Sequence, residues 1–304
     1  MTTTDFTHKM AAHCETGTIS ALMAHAGAPL SEPMVFGIGG GMFFGYLKTP
    51  SFPFPMIVTR TEPGKIRKKI HKRLGADFKT RTFGDEGKAE AALDALLHAG
   101  VPTAVQVDMF YMDYIPDYMR AHFNGHYIIV LGRQGEAYRV SDVYYPRISE
   151  LSARSMRRGR FARGTMAPKG FLFYPHKIMP TGDLRKPIIA GIKEACFNML
   201  SLPIPFLGVR GIRTFAKKVV TWPTLARDED HLSHEIMMIN VTLEDRGTGG
   251  AGFRFMYATF LQQASEVLGA GALADLSQEM MGIGDRWREI SIFTARMGKA
   301  RDFG

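Results

Sequence analysis

The sequence predicts an α+β domain over residues 1–180 and an all-helical domain over residues 181–304. In the first part, apolar residues recur at helical spacing in some segments and alternate at strand spacing in others. From Arg185 onward only the helical spacing remains. Hydrophobic residues make up 45% of the chain, which is enough to build a packed core in each part. Mixed elements followed by a run of helices are typical of two separate domains.

A helix is predicted over residues 11–27, where Ile19, Leu22 and Ala26 recur at steps of three and four residues. The next segment, residues 34–46, is apolar and glycine-rich, which favours close backbone approach over a regular helix. The remaining elements of the first domain are a strand at 55–60, helices at 66–74 and 87–99, and strands at 101–110 and 170–174.

Two further strands, at 126–132 and 137–142, flank a turn at Gln134–Gly135 and are typical of a β-hairpin. We expect them to belong to a small antiparallel sheet. The second domain has six predicted helices, at 186–200, 211–220, 231–243, 252–268, 273–281 and 285–297.

The formal net charge is +9, and basic residues concentrate at 65–73 and 154–163. The first run is typical of a solvated helix face, and the second of a mobile loop. Such patches attract phosphates. Because no helix-turn-helix, zinc-finger or base-stacking signature accompanies them, we expect no nucleic-acid partner. An acidic protein, a phosphorylated ligand and an anionic membrane surface remain alternatives.

The sequence also bears on location and assembly. No apolar run reaches the roughly 20 residues of a membrane-spanning helix, and residues 1–9 lack the apolar stretch of a signal peptide. We therefore expect a cytoplasmic protein without a membrane span. The Met- and Phe-rich helices of the second half could form a homodimer face.

The chain has two cysteines, fewer than a secreted disulfide framework would need. Cys196 lies among helically spaced apolar residues and is expected to be a small buried side chain. Cys14 lies where the first predicted helix begins. The partial positive charge of a helix N-terminus favours the ionised thiol, so Cys14 is the candidate nucleophile.

A nucleophilic thiol needs a proton acceptor and a group that orients it. His126 begins one strand of the predicted hairpin and Asp142 ends the other, so the two are expected to lie roughly opposite each other. Each of these residues alone is more often structural than catalytic. Together with Cys14, in the order Cys, His, Asp, they form the arrangement of papain-like cysteine enzymes.

Several short motifs resemble the butirosin biosynthesis protein H family. In the N-terminal part they are His13-Cys14-Glu15, Leu30-Ser31-Glu32, Phe36-Gly37-Ile38-Gly39-Gly40-Gly41, Gly125-His126 and Ser141-Asp142. In the second half, residues 249–263 (GGAGFRFMYATFLQQ) resemble the domain of unknown function that often follows in this family. The resemblance covers nearly the whole chain.

The resemblance implies a papain-like fold, related to the peptidases that process bacteriocin leaders. The named family member moves an aminoacyl chain from an acyl carrier protein to an aminoglycoside amine. By this resemblance Cys14 would attack the thioester of a carrier protein or of coenzyme A, His126 would shuttle protons, and Asp142 would orient His126. A small-molecule amine would accept the acyl group, and no cofactor is expected.

Five residues are candidates for substrate binding: His13, Glu32, Gly39, Gly40 and Tyr144. Glu32 would bind a substrate amine or, alternatively, anchor a loop through backbone N–H groups. The glycine run lacks the spacing and context of a dinucleotide site and could instead line a channel for an acyl or pantetheine arm.

The reaction also needs hydrogen-bond donors for the oxyanion of the tetrahedral intermediate. The backbone N–H of Cys14 is one candidate oxyanion donor. No glutamine precedes residue 106 to supply a second, which leaves His8 or His13 as substitutes. The histidines are not at metal-ligand spacing, so we expect no metal.

Two further functions stay open at this point. Water and an amine compete for the same acyl-enzyme, so a peptidase or amidase could use the same triad. A binding module that has kept the fold but lost the activity is the third hypothesis.

Overall fold

The computed structural model describes residues 5–49, 52–180 and 182–303. Residues 1–4 of the predicted polar N-terminal segment lie outside these ranges, as do residues 50, 51, 181 and 304. The described residues form two compact units. The first comprises those up to Glu32 and from Ile70 to Gly182, and the second comprises residues 33–69 and those from Asp183 onward.

The helices are α1 (Cys14–His25), α2 (Glu32–Ile38), α3 (Lys65–Leu74), α4 (Glu86–His98), α5 (Ala153–Arg160), α6 (Arg185–Cys196), α7 (Gly208–Val219), α8 (Trp222–Leu225), α9 (Glu229–Asn240), α10 (Arg254–Leu268) and α11 (Gly271–Ala300). The strands are β1 (Met42–Thr49), β2 (Phe52–Arg60), β3 (Asp77–Arg81), β4 (Thr103–Val107), β5 (His126–Gln134), β6 (Ala137–Ser141), β7 (Ser149–Ser152) and β8 (Leu172–Lys177). The predicted α+β class, with a helical second part, is confirmed.

The first unit is built on a six-stranded antiparallel sheet with the strand order β3-β8-β4-β5-β6-β7. Helices α1 and α4 pack against its central strand β5, and α5 packs against β4. The buried core of this unit combines side chains of the sheet with those of α4 and α5: Leu93, Leu97, Val105, Val107, Ile128, Val130, Tyr138, Val140, Leu151, Met156 and Leu172. Burial of these apolar groups stabilises the sheet that carries the candidate site.

The second unit combines the antiparallel hairpin of β1 and β2 with helices. The Phe44 ring of β1 is fully buried and lies 6.3 Å from the Phe215 ring and 5.6 Å from the Trp287 ring, measured between centroids. This shared core explains why residues 33–69, which the sequence pattern places in the first domain, belong to the second unit. The domain ranges 1–180 and 181–304 stay a prediction.

Three segments differ from the predicted elements. Residues 154–163, predicted as a mobile basic loop, contain α5, because Ser152 caps this helix and Met156 and Gly159 bury its inner face. The helices predicted at 273–281 and 285–297 are one helix, α11, in which the Phe255 ring packs against Gly284. Part of the glycine-rich segment 34–46 is regular, within α2 and β1. The expectation that Cys196 is buried was wrong, since it is exposed at the C-terminal end of α6.

The hairpin of β5 and β6 turns through the two residues Gly135 and Glu136. Gly135 has φ +58°, the left-handed conformation that a short hairpin turn requires at this position. The register pairs Ile129 with Ser141, so Asp142 follows the end of β6 opposite Ile128. His126 lies two residues from the position directly opposite Asp142, so the two residues are roughly opposite each other, as the sequence predicted.

Among the described residues, we find no helix whose length and apolar character would suit a bilayer crossing.

The turn glycine generates a stability prediction. Gly135→Ala should lower the free energy of unfolding by about 1–2 kcal/mol, because alanine is strained at positive φ. Gly132→Ala is the matched control, since a Cβ at either position meets no atom within 4 Å and Gly132 has no positive φ. Urea denaturation of both variants measures the difference. Equal stability of the two would contradict this account of the turn.

Candidate active site

Helix α1 begins at Cys14, as the sequence predicted. His13 is its N-cap, in an extended conformation, and the His13 ring accepts a hydrogen bond from the backbone N–H of Thr16 at 3.4 Å. The Cys14 side chain is 3% exposed. Its thiol therefore lies in a shielded position at the positive end of the helix, where a thiolate is stabilised.

Glu32 braces the turn that leads into α1. Its carboxylate accepts hydrogen bonds from the backbone N–H groups of Ala12 at 2.9 Å and His13 at 2.8 Å, and from the Thr16 hydroxyl at 2.8 Å. Burial raises the pKa of Glu32, and these three hydrogen bonds oppose the rise. Because both carboxylate oxygens are engaged by the chain itself, the geometry favours the loop-anchoring alternative over amine binding.

His126 and Asp142 form a buried pair across the hairpin. His126 Nε2 donates to Asp142 Oδ2 at 2.8 Å, and the two side chains are 0% and 1% exposed. Asp142 is held from two other sides. The Tyr114 hydroxyl donates to its Oδ2 at 2.8 Å, and the backbone N–H of Tyr144 donates to its Oδ1 at 3.0 Å.

These contacts favour the charged forms of both partners. Burial lowers the pKa of His126, but the Asp142 carboxylate and the Cys14 thiol outweigh it and raise that pKa to about 10. Burial raises the pKa of Asp142, but the charge of His126 and the donated hydrogen bonds outweigh it, so the pKa of Asp142 is lowered. Asp142 is therefore a carboxylate that stabilises the imidazolium formed when His126 gains a proton.

Cys14 lies beside this pair. Its Sγ is 3.7 Å from the carbonyl oxygen of Gly125, the residue before His126. His126 Nδ1, the ring nitrogen not bound to Asp142, is buried and has no hydrogen-bond partner among the described residues. A nitrogen left open toward a nearby thiol is what proton transfer from sulfur requires.

Tyr144 covers the other side of the imidazole. Its ring stacks on that of His126, with centroids 5.2 Å apart and an angle of 24° between the planes. Burial and the neighbouring Cys14 raise the pKa of Tyr144. Tyr144 thus lies at the candidate nucleophile and its base, where a substrate-binding role is predicted for it.

The remaining candidates have structural contacts of their own. The ring nitrogens of His8 are hydrogen-bonded to Ser141 Oγ at 2.8 Å and to the Tyr145 carbonyl at 2.7 Å. Gly39 and Gly40 belong to the second unit. There, a Cβ on Gly39 would lie 2.5 Å from Ile66 Cγ2, and one on Gly40 would lie 2.8 Å from Glu194 Cδ. Their predicted role in substrate binding stays a prediction.

Sequence reasoning missed Tyr114, which no spacing or motif connects to Asp142. It also missed a second Asp–His pair, in which His122 Nδ1 lies 2.7 Å from the buried Asp108 Oδ2. Within the described ranges, no group of three or more His, Cys, Asp or Glu side chains is arranged to hold a metal ion.

Comparison with known proteins identifies the family. Residues 13–143 match the family described as butirosin biosynthesis protein H, N-terminal. Residues 154–304 match a domain of unknown function, DUF4872. The chain thus matches the N-terminal domain of the butirosin biosynthesis protein H family and the domain that follows it, each over slightly less than half of the chain's length. The resemblance inferred from the short motifs is thereby confirmed, together with the order of the two domains.

Two other comparisons add detail on this chain. No curated protein matches the chain. Among solved structures, it is similar to a crystal structure of a protein from Bacillus anthracis described as a C39-like peptidase, with 13% sequence identity and a TM-score of 0.40. That similarity covers 58% of this chain and 97% of the other.

The charge pair at the site predicts a pH effect. Asp142→Asn should lower the pKa of His126 from about 10, because the Asp142 carboxylate is the first cause that raises it. In the wild type the folded pKa of His126 exceeds its ordinary 6.5, so the stability that the pair adds is complete below pH 6.5 and is lost as pH rises through about 10. Titration of the His126 Cε1–H resonance by NMR measures the pKa.

The second Asp–His pair supplies the control. Asp108→Asn makes the same chemical change beside His122 and should leave the His126 titration unchanged. An Asp142→Asn variant whose His126 titrates as in the wild type would show that Asp142 does not set the charge of the imidazole.

Proposed function

We propose that this protein is a cysteine acyltransferase, acting in the biosynthesis of a specialised metabolite in the cytoplasm. It would move an acyl or aminoacyl group from an acyl carrier protein or coenzyme A thioester to an amine through an acyl-Cys14 intermediate. One observation carries the proposal: His126, paired with Asp142 through Nε2, has its buried Nδ1 open beside a thiol at the start of a helix. The match to the family supports the reaction class.

The side chains can perform each proton transfer of such a reaction. His126 Nδ1 takes the thiol proton, and the Cys14 thiolate attacks the thioester carbonyl. The donor's thiol then leaves and takes the proton from the imidazolium. In the second half, the amine attacks acyl-Cys14 and gives its proton to His126. The amide forms, and Cys14 leaves as a thiolate that recovers the proton.

Three features hold the reacting groups in place for these steps. The backbone N–H of Cys14 belongs to the first turn of α1, where it can donate to the oxyanion of the tetrahedral intermediate. Glu32 anchors the turn just before it, so the nucleophile and this donor are held together. Asp142 stabilises the imidazolium and fixes the orientation of its ring.

The basic surface of α5 supports an acidic carrier protein as the donor. Arg154 and Arg158 are exposed on this helix, and Arg157 is exposed while paired with Glu90. Carrier proteins are acidic, and opposite charges accelerate the encounter of two proteins.

A homodimer is also part of the proposal, and α11 supports it. Its apolar residues Leu276, Ile283 and Ile290 follow each other at seven-residue steps and are 47%, 40% and 42% exposed. Side chains at this spacing share one helix face, which a second copy could cover.

The acyl-enzyme itself is the first test. Incubation of the full chain with a panel of acyl N-acetylcysteamine thioesters should add one acyl mass, detected by intact-mass spectrometry. Cys14→Ala should abolish the adduct, because it removes the nucleophilic sulfur. Cys196→Ala, which removes the exposed cysteine of the second unit, should retain it. Wild-type protein that stays unmodified with every thioester would favour a non-catalytic binding module.

The fate of the acyl group separates transfer from hydrolysis. With a panel of amines, including aminoglycosides and diamines, we expect the acyl-enzyme to be consumed faster than in buffer without an amine and to yield an amide. Mass spectrometry of samples quenched at timed points measures the loss of acyl-enzyme and the formation of amide. Release of free acid alone, at one rate for every amine, would make the protein a hydrolase on the same residues.

A further inference from the structure

Two exposed apolar side chains contact Gly125, the residue whose carbonyl oxygen lies near the candidate nucleophile. Phe123 and Met166 are 37% and 41% exposed. A Cβ built on Gly125 would lie 2.4 Å from Met166 Cε and 2.8 Å from Phe123 Cζ, so the tips of both side chains rest on Gly125. The carbonyl oxygen of this glycine is the group 3.7 Å from Cys14 Sγ. We call the surface formed by Phe123, Gly125 and Met166 the apolar shelf.

Hydrogen bonds to backbone carbonyls hold the two segments that form the apolar shelf. Gln106 Nε2 donates to the carbonyl oxygens of Asn124 at 2.8 Å and Met166 at 2.9 Å. Asn124 Nδ2 donates to the Arg163 carbonyl at 3.0 Å and the Thr165 carbonyl at 2.9 Å. The segments of Phe123 and Met166, distant in sequence, are thus tied together.

The backbone conformation of Met166 is further evidence that this side chain is held in place. Its φ is +59°, a left-handed conformation that residues other than glycine rarely adopt. The hydrogen bond from Gln106 holds the Met166 carbonyl in this conformation, and the side chain is thereby placed on Gly125. Such outliers persist where the surrounding structure fixes them and are frequent at ligand sites.

The chemistry of the apolar shelf selects one kind of acyl group. A phenyl ring, a thioether methyl and a glycine Cα offer no charge and no conventional hydrogen-bond donor. An aliphatic or aromatic chain that lies on them removes apolar area from water. A charged chain in the same place would lose hydration without receiving a polar partner from these groups.

We propose that the apolar shelf binds the carbon chain of the acyl group, so that the donor is an aliphatic or aromatic acyl thioester. This inference rests on the proposed acyl-Cys14 intermediate, from which the chain would extend past Gly125. A side chain at Gly125 would displace the tips of Met166 and Phe123 from these positions. Phe123 and Met166 are thus residues that determine specificity rather than residues that take part in the proton transfers.

The test compares acylation rates of the full chain with acetyl, butyryl, hexanoyl, 4-aminobutyryl and glutaryl N-acetylcysteamine thioesters. Hexanoyl should react about tenfold faster than acetyl, and faster than either charged chain, since a hydrophobic site discriminates about that much between chains of different length. Phe123→Ala and Met166→Ala should each reduce the hexanoyl-to-acetyl ratio severalfold. Intact-mass spectrometry at timed points measures every rate.

Met179→Ala is the matched control. Met179 is also an exposed methionine of the first unit, 61% exposed, and it follows the C-terminal end of β8. Phe171, whose carbonyl oxygen accepts a hydrogen bond from the Gln106 backbone N–H, precedes the other end of that strand. The hexanoyl-to-acetyl ratio of Met179→Ala should equal that of the wild type. The rate of Cys14 alkylation by iodoacetamide, measured in each variant, reports whether the nucleophile is intact.

The outcomes separate this inference from the proposed function. If adducts form equally fast with every thioester, or fastest with a charged chain, the proposed binding role of the apolar shelf is overturned. The proposed acyl-Cys14 intermediate is not affected by that result. The same holds if Phe123→Ala and Met166→Ala slow all thioesters and iodoacetamide alike, because their role would then be structural. No adduct with any thioester would overturn both.

Discussion

The candidate site depends on one buried charge pair, His126 with Asp142. Removing an imidazolium and a carboxylate from water is costly, and the cost is offset only when the remaining polar groups of the pair are well bonded. Here Asp142 receives hydrogen bonds from three groups: the His126 ring, the Tyr114 hydroxyl and the Tyr144 backbone. The folded chain has to bring these donors together before the pair can be buried in its charged form.

A second constraint acts on the nucleophile. The turn before α1 carries the backbone N–H groups of Ala12 and His13, and Glu32 accepts from both. A carboxylate near a helix N-terminus stabilises the helix. The brace therefore fixes the start of the helix on which Cys14 lies.

Beside this polar centre the chain places an apolar surface that is open to solvent. Gly125 connects the two, since its carbonyl faces Cys14 Sγ and its Cα supports Phe123 and Met166. Exposed apolar side chains are common on proteins when scattered singly. Two of them tied to one glycine at a candidate nucleophile are a different case, because their position is set by hydrogen bonds from Gln106 and Asn124.

The sequence by itself determined that a helix starts near Cys14 and that β5 and β6 form a hairpin with His126 and Asp142 at its open end. Helix starts and tight turns are local events, governed by neighbouring residues, so their patterns can be read along the chain. The same holds for the α+β class and the helical second part. The family motifs, which are also local, identified the family.

Contacts between distant residues were decided only by the tertiary structure. Tyr114 meets Asp142 across 28 positions, and Met166 meets Gly125 across a loop that no periodicity describes. Residues 33–69 joined the second unit because Phe44 is buried with Phe215 and Trp287, which lie far along the chain. The choice between the two roles of Glu32 also required the structure, since a carboxylate near a helix start can bind a ligand or the chain itself. Such pairings depend on which surfaces exclude water together, and that is a property of the packed chain rather than of any segment of it.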